Sequence, residues 1–184
     1  MRTNVGSKMD SLNKTDDSAS NAPVSLVSGS ICPPIIVDPQ MESLTEYADP
    51  TKPSEDTKVS TFKLVTTQST CDIADGKLKV RMDLSFAGEL GPKAKRRSGD
   101  QPFFAYPYYV KITDGSGQKL AEESFAASVT YEKNQNRIEI VEIIRQNLPL
   151  KADGSAPVYE IHVGFQLTED QLVQNTKARY QVVE

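Results

Sequence analysis

This sequence predicts an all-β chain folded as an antiparallel β-sandwich, immunoglobulin-like in architecture, with a short C-terminal helix and a disordered N-terminal tail. Three observations predict it. Apolar and polar residues alternate in repeated stretches from Val59 to Leu167. Asp, Asn and Gly clusters interrupt them at short spacing. The stretches number six or seven, and that many short strands joined by turns bury their apolar faces most simply as two packed sheets. The architecture is expected, not the immunoglobulin superfamily: the chain has no Trp, and its two cysteines lack that spacing.

Each element has its own warrant. Val59–Ile73 opens the series, and Asp75-Gly76 supplies a turn. In Lys77–Gly88, Leu78, Val80, Met82, Leu84 and Phe86 share one face while Lys77, Lys79, Arg81, Asp83 and Ser85 share the other, the mark of a strand with one wet face. A polar loop follows. Phe103–Asp114 then places Phe104, Tyr106, Tyr108, Val110 and Ile112 together and leaves Phe103 and Tyr109 for the opposite face. Pro107 within it argues for an edge position or a bulge. Asp114-Gly115-Ser116-Gly117 is a hairpin signal. Lys119–Tyr131 keeps Phe125, Ala127, Val129 and Tyr131 in phase. Ile138–Leu148 fits a helical spacing through Ile140, Ile143 and Ile144, or a strand with a phase slip. Its β-branched content favours a strand with a bulge. Val158–Leu167 directs Tyr159, Ile161, Val163, Phe165 and Leu167 inward. Thr168 to Gln171 forms a capping box that starts a short helix to about Asn175.

Charge divides the chain. Residues 1–57 carry nine acids and four bases, whereas residues 58–184 carry sixteen and seventeen. The first part also holds six of the eleven prolines and a single aromatic, Tyr47, so it has little to bury. The expected organisation is a disordered tail at 1–30, an edge strand and proline-rich connector at 31–57, the sandwich at 58–176, and a frayed end at 177–184. Pro33-Pro34 before Ile35, Ile36 and Val37 suits an edge strand. The near-neutral sandwich offers no broad field for nucleic acid. No apolar run reaches the length of a membrane span, and the N-terminus as it stands shows no secretory signal.

Little in the sequence points to reaction chemistry. His162, the one histidine, falls off the core parity of its strand and reads as a surface residue. One His with two Cys is a poor zinc set, so no metal and no cofactor is expected. Gly-rich phosphate loops and nucleophile elbows are absent from the sequence. Asp-rich turns such as Asp72 to Gly76 lack the full ligand series of a calcium loop. Catalytic residues are therefore none, and the chain is expected not to be an enzyme.

Two features remain. Lys93, Lys95, Arg96 and Arg97 concentrate positive charge in one loop, either as a solvated hairpin tip or as a contact for phosphate head groups or an acidic partner. Cys32 and Cys71 leave no odd thiol: in an oxidising compartment they suggest one bridge, in a reducing cytosol two thiols.

Several stretches together resemble small, uncharacterised envelope lipoproteins of alphaproteobacteria. They are Cys32-Pro33-Pro34, "STCDIADGKLKVRMDLSFAGELGP" at 69–92, "PYYVKITDGSGQKLAEESF" at 107–125 and "VGFQLTEDQLVQN" at 163–175. The resemblance covers about residues 26–176, and Gly164 to Thr168 with Asp170, Gln171, Leu172 and Asn175 is its most specific part. It implies a periplasm-facing sandwich held by an N-terminal lipid, with no enzyme activity. Leu26 to Gly29 matches the front of a lipoprotein cleavage box, but the lipid-bearing position is Ser30, which lacks the thiol for a thioether. Ile31 makes Cys32 a poor substitute, because a small residue is needed there, so Cys32 reads as half of a disulfide.

The function expected is a non-enzymatic module of the cell envelope that binds another envelope protein or membrane complex near the membrane surface. Lys93, Lys95, Arg96, Arg97 and the Ile35–Val37 edge are its candidate contacts. The alternative is a periplasmic carrier of a small molecule or lipid, held among the tyrosines and phenylalanines at one end.

Overall fold

The computed structural model describes residues 31–94 and 101–181. The expected tail at 1–30, with Ser30, lies outside the described residues, as do Lys95, Arg96 and Arg97 and the last three residues of the expected frayed end.

Alternation becomes strand as expected. In chain order the strands are β1 (Ile35–Val37), β2 (Ser43–Tyr47), β3 (Lys58–Ala74), β4 (Lys77–Leu90), β5 (Phe103–Asp114), β6 (Lys119–Thr130), β7 (Arg137–Pro149) and β8 (Tyr159–Phe165). Helix α1 (Glu169–Gln181) closes the chain. The strands make two four-stranded sheets, one ordered β1-β8-β5-β6 and the other β2-β3-β4-β7. Every pairing is antiparallel except β1 with β8. The sheets face each other as a sandwich, so the fold class read from the sequence is the one observed.

The core sits between the sheets. Leu78, Val80, Met82, Leu84 and Phe86 on β4 are all buried, and so are Tyr106, Tyr108, Val110 and Ile112 on β5. Tyr106 stacks on Phe62 with ring centroids 4.2 Å apart and planes within 4°. Phe86 and Phe165 meet at 5.7 Å. Gly88 on β4 leaves the space that Tyr131 and Phe62 occupy, and a β-carbon there would run into the Tyr131 hydroxyl.

Four local expectations change. The 31–57 segment is more than an edge strand and connector: β2 pairs with β3 and buries Leu44. One buried apolar residue in a five-residue strand is too weak a pattern to read ahead. β7 is a strand, but its register with β4 runs from Arg137 to Pro149 without a bulge. Its phase slip reflects apolar residues on both faces: Ile144 and Leu148 point inward while Val141 and Ile143 point out. Pro107 sits in neither an edge strand nor a bulge, since β5 lies between β8 and β6. β8 pairing stops at Tyr108, and the Pro107 carbonyl accepts from Gln166 N at 2.9 Å, so the missing proline N–H falls just past the end of the ladder. Helix α1 continues past Asn175 to Gln181.

Candidate interaction surface

Loops gather at the two ends of the sandwich. The upper end holds the finish of β4, the start of β5 and the start of α1. The lower end holds the turn between β3 and β4 and the turn between β5 and β6. Residues 91–94, which leave β4, and 101–102, which lead into β5, lie at the upper end. Phe103 is the first residue of β5, opposite Thr130, and is 64% exposed. Exposed Lys93 follows the end of β4 at the same end of the sandwich, its backbone N–H held by the Lys58 carbonyl at 2.9 Å. Gln101 donates to Glu132 across the adjoining loops at 2.7 Å. An uncovered phenylalanine and an exposed lysine, Lys93, therefore mark this end.

Tyr109, the other aromatic assigned to the outer face, is covered. Its hydroxyl donates to Met41 Sδ at 3.3 Å, and its ring lies against Gly164, where a β-carbon would come within 2.9 Å of the hydroxyl. The Met41 segment, reached through β1, folds over it. Burial pushes the Tyr109 phenol up.

β1 is the expected edge strand, with Ile35 and Val37 packed on the core and Ile36 exposed. Its partners are Ile161 to Val163, level with Val110 to Ile112 in the lower half of β5. The structure therefore separates the Ile35–Val37 edge from Lys93, the described member of the basic set, by much of the length of the sheet.

Cys32 and Cys71 form a disulfide, with Cα atoms 5.4 Å apart. It joins the segment before β1, in one sheet, to the lower part of β3, in the other. A closed loop spanning 39 residues contributes about 4 kcal/mol by chain-entropy reasoning. A structural bridge of this kind is compatible with an extracytoplasmic location. No helix among the described residues is long and apolar enough to cross a membrane.

His162 lies half-buried on the outer face of β8. Its Nε2 is 3.3 Å from the Thr113 hydroxyl and 3.5 Å from a Glu160 carboxylate oxygen. A nucleophile–base–acid relay needs the imidazole to bridge through both nitrogens. Here both neighbours converge on the same nitrogen, so the trio lacks relay geometry. Among the described residues, no three His, Cys, Asp or Glu side chains are grouped to hold a metal.

The upper end also contains a half-buried carboxyl that the sequence did not reveal. Glu46 on β2 faces Ser60 on β3. Burial pushes its carboxyl up, partly offset by the Ser60 hydroxyl. Burial likewise pushes the Tyr106 phenol up, against a smaller lowering by Ser60. Glu46 borders a cleft of about 340 Å³ between β2 and the start of α1, with Tyr47, Pro50, Val59 and Asp170. Acidic residues on both walls and a helix start already capped by Thr168 leave no welcome for an anion.

The stretch from Gly164 to Asn175 proves to be a fastening. Gly164 admits the Tyr109 ring, and Phe165 fills the core. Thr168 and Gln171 form the expected capping box, with bonds of 2.9 and 3.3 Å. Gln171 reaches the Thr45 carbonyl, and Asn175 donates to the carbonyls of Gln40 and Ser43 at 2.8 Å each. These residues hold α1 onto the β2 side.

No family model matches this chain, and no curated protein sequence matches it. A solved structure, the variable (V) domain of the AgI/II polypeptide BspA from Streptococcus agalactiae, is similar at 13% identity over 72% of this chain and 77% of that one. The TM-score is 0.16, too low to bear on fold or function.

Proposed function

We propose that this chain is a binding module of the cell envelope, working outside the cytoplasm, that docks another protein through its upper end and performs no chemistry. The observation that carries the reading is Phe103. A phenylalanine 64% exposed, following Lys93, Lys95, Arg96 and Arg97 in sequence, suits an aromatic anchor with a charged rim. The disulfide supports the compartment. The partner surface is acidic around an apolar pocket. The carrier reading gains nothing from the core, because the rings that would line a ligand site fill the space between the sheets.

A photo-crosslinking side chain at Phe103 tests the proposal in envelope extract. One specific protein is expected, with capture by the native chain lost in a Phe103→Ser, Lys93→Glu variant that melts normally. Capture unaffected by that variant, or no specific product, overturns the reading.

A further inference from the structure

The free edge of β7 differs from the other edges of the sandwich. Strand edges invite pairing with another chain, and soluble proteins blunt them with shortness, bulges, proline, charge or cover. β1 and β2 are three and five residues long. β6 has an irregularity near its start, opposite Ile112 and Thr113, and carries the exposed acids Glu122 and Glu123. The free lower edge of β3 follows an irregularity at Val65 and shows Thr66, Gln68 and Thr70 on its outer face. β7 is neither short nor bulged, nothing among the described residues covers its free edge, and its outward charges Glu139 and Arg145 flank an exposed apolar pair. It is thirteen residues long, unbroken in register, and free of proline until Pro149.

Its outer face carries Glu139, Val141, Ile143 and Arg145 in sequence, with Val141 58% and Ile143 42% exposed. This order is self-complementary. Suppose two copies pair antiparallel with Glu142 opposite itself. Val141 then faces Ile143 of the second copy, and Glu139 faces Arg145 of the second copy, each contact occurring twice by symmetry. Shifting by two residues one way puts Glu139 against Ile143 and Arg137 against Arg145. Shifting the other way puts Val141 against Arg145. Only the first register matches apolar with apolar and acid with base, the cross-strand pairs that stabilise an antiparallel ladder.

We infer that β7 is a docking edge for a second copy of this chain, giving a two-fold dimer in which the β2-β3-β4-β7 sheet continues through β7 into its mate. Glu142 facing its own mate on the inner side is the one unfavourable contact, and it limits affinity. The inference is independent of the Phe103 end.

Sedimentation velocity of the full chain across a concentration series tests it, with a melting curve for each variant. The expected result is a reversible monomer–dimer equilibrium in the micromolar range, abolished by Val141→Lys with an unchanged monomer melt. Glu139→Arg and Arg145→Glu each turn two attractive pairs into repulsive ones, so each weakens the dimer roughly tenfold or more. Combined, they restore it, and Glu142→Gln tightens it several-fold. A chain that stays monomeric at about 0.5 mM, well above the micromolar affinity expected, overturns the inference. So does a dimer indifferent to Val141→Lys, or single charge swaps that are not rescued by the pair.

Discussion

β3 is one strand with two environments. From Lys58 to Lys63 it has β2 on one side and β4 on the other, and Ser60, Phe62 and Leu64 are buried. Beyond Val65, β2 has ended. Thr67, Ser69, Cys71 and Ile73 keep the inward parity set by β4, yet they are only half-buried or exposed. The upper half is held by buried apolar area. The lower half buries too little for that, and the bond from Cys71 to Cys32 ties it to the opposite sheet. A cross-link acts mainly by constraining the unfolded chain, so it stabilises a region whose local packing is thin.

The largest effect expected from breaking this contrast lies in the upper half. Phe62→Ala removes a fully buried ring stacked on Tyr106 and Phe86, and costs about 4 kcal/mol in urea unfolding. A loss under about 1 kcal/mol, the size of a surface change, would mean that the upper core is not the source of strength.

Next comes the bridge. Reducing it, or replacing both cysteines by serine, costs up to about 4 kcal/mol globally, the chain-entropy value. Hydrogen exchange then sharpens the comparison: amides from Thr67 to Ile73 gain exchange well before those from Ser60 to Leu64. Uniform acceleration along β3 would erase the distinction between its halves.

The smallest effect concerns Glu46, opposite Ser60. Its carboxyl is raised above the ordinary 4.5, so the folded state holds the proton more tightly than the unfolded state does. Stability from this group is therefore greatest below 4.5 and declines as pH rises through the raised value. Glu46→Gln raises the melting temperature at pH 7, and the gain disappears below the ordinary value. A gain of equal size at both pH values would show that burial of the charge is not the cause.

The strands with one wet face were readable because both signals agreed. Every inward residue named on β4 is buried, and on β8 parity correctly put Tyr159, Ile161, Val163 and Phe165 inside. β2 escaped notice because a short edge strand with Leu44 as its single buried apolar residue resembles a loop. β7 was misread as bulged because Val141 and Ile143 face outward, where alternation predicts polar residues. That local disagreement marks the edge now assigned to a second copy. At the interaction surface, Phe103 was identifiable by parity, whereas the cover over Tyr109 was not. Met41 is 68 residues away in sequence, and nothing local announces it.

By itself, the sequence determined which segments are strands, which face of most of them is greasy, where the chain turns and how α1 is capped. Each of these depends on neighbours a few residues apart. Tertiary structure alone decided which strands lie side by side, that β1 runs parallel to β8, that Lys93 and the Ile35–Val37 edge lie far apart, and that β7 has a neighbour on one side only. Period-two patterning states which way a side chain points but carries no label for the strand it will meet. That choice follows from summed packing and pairing across the whole sandwich.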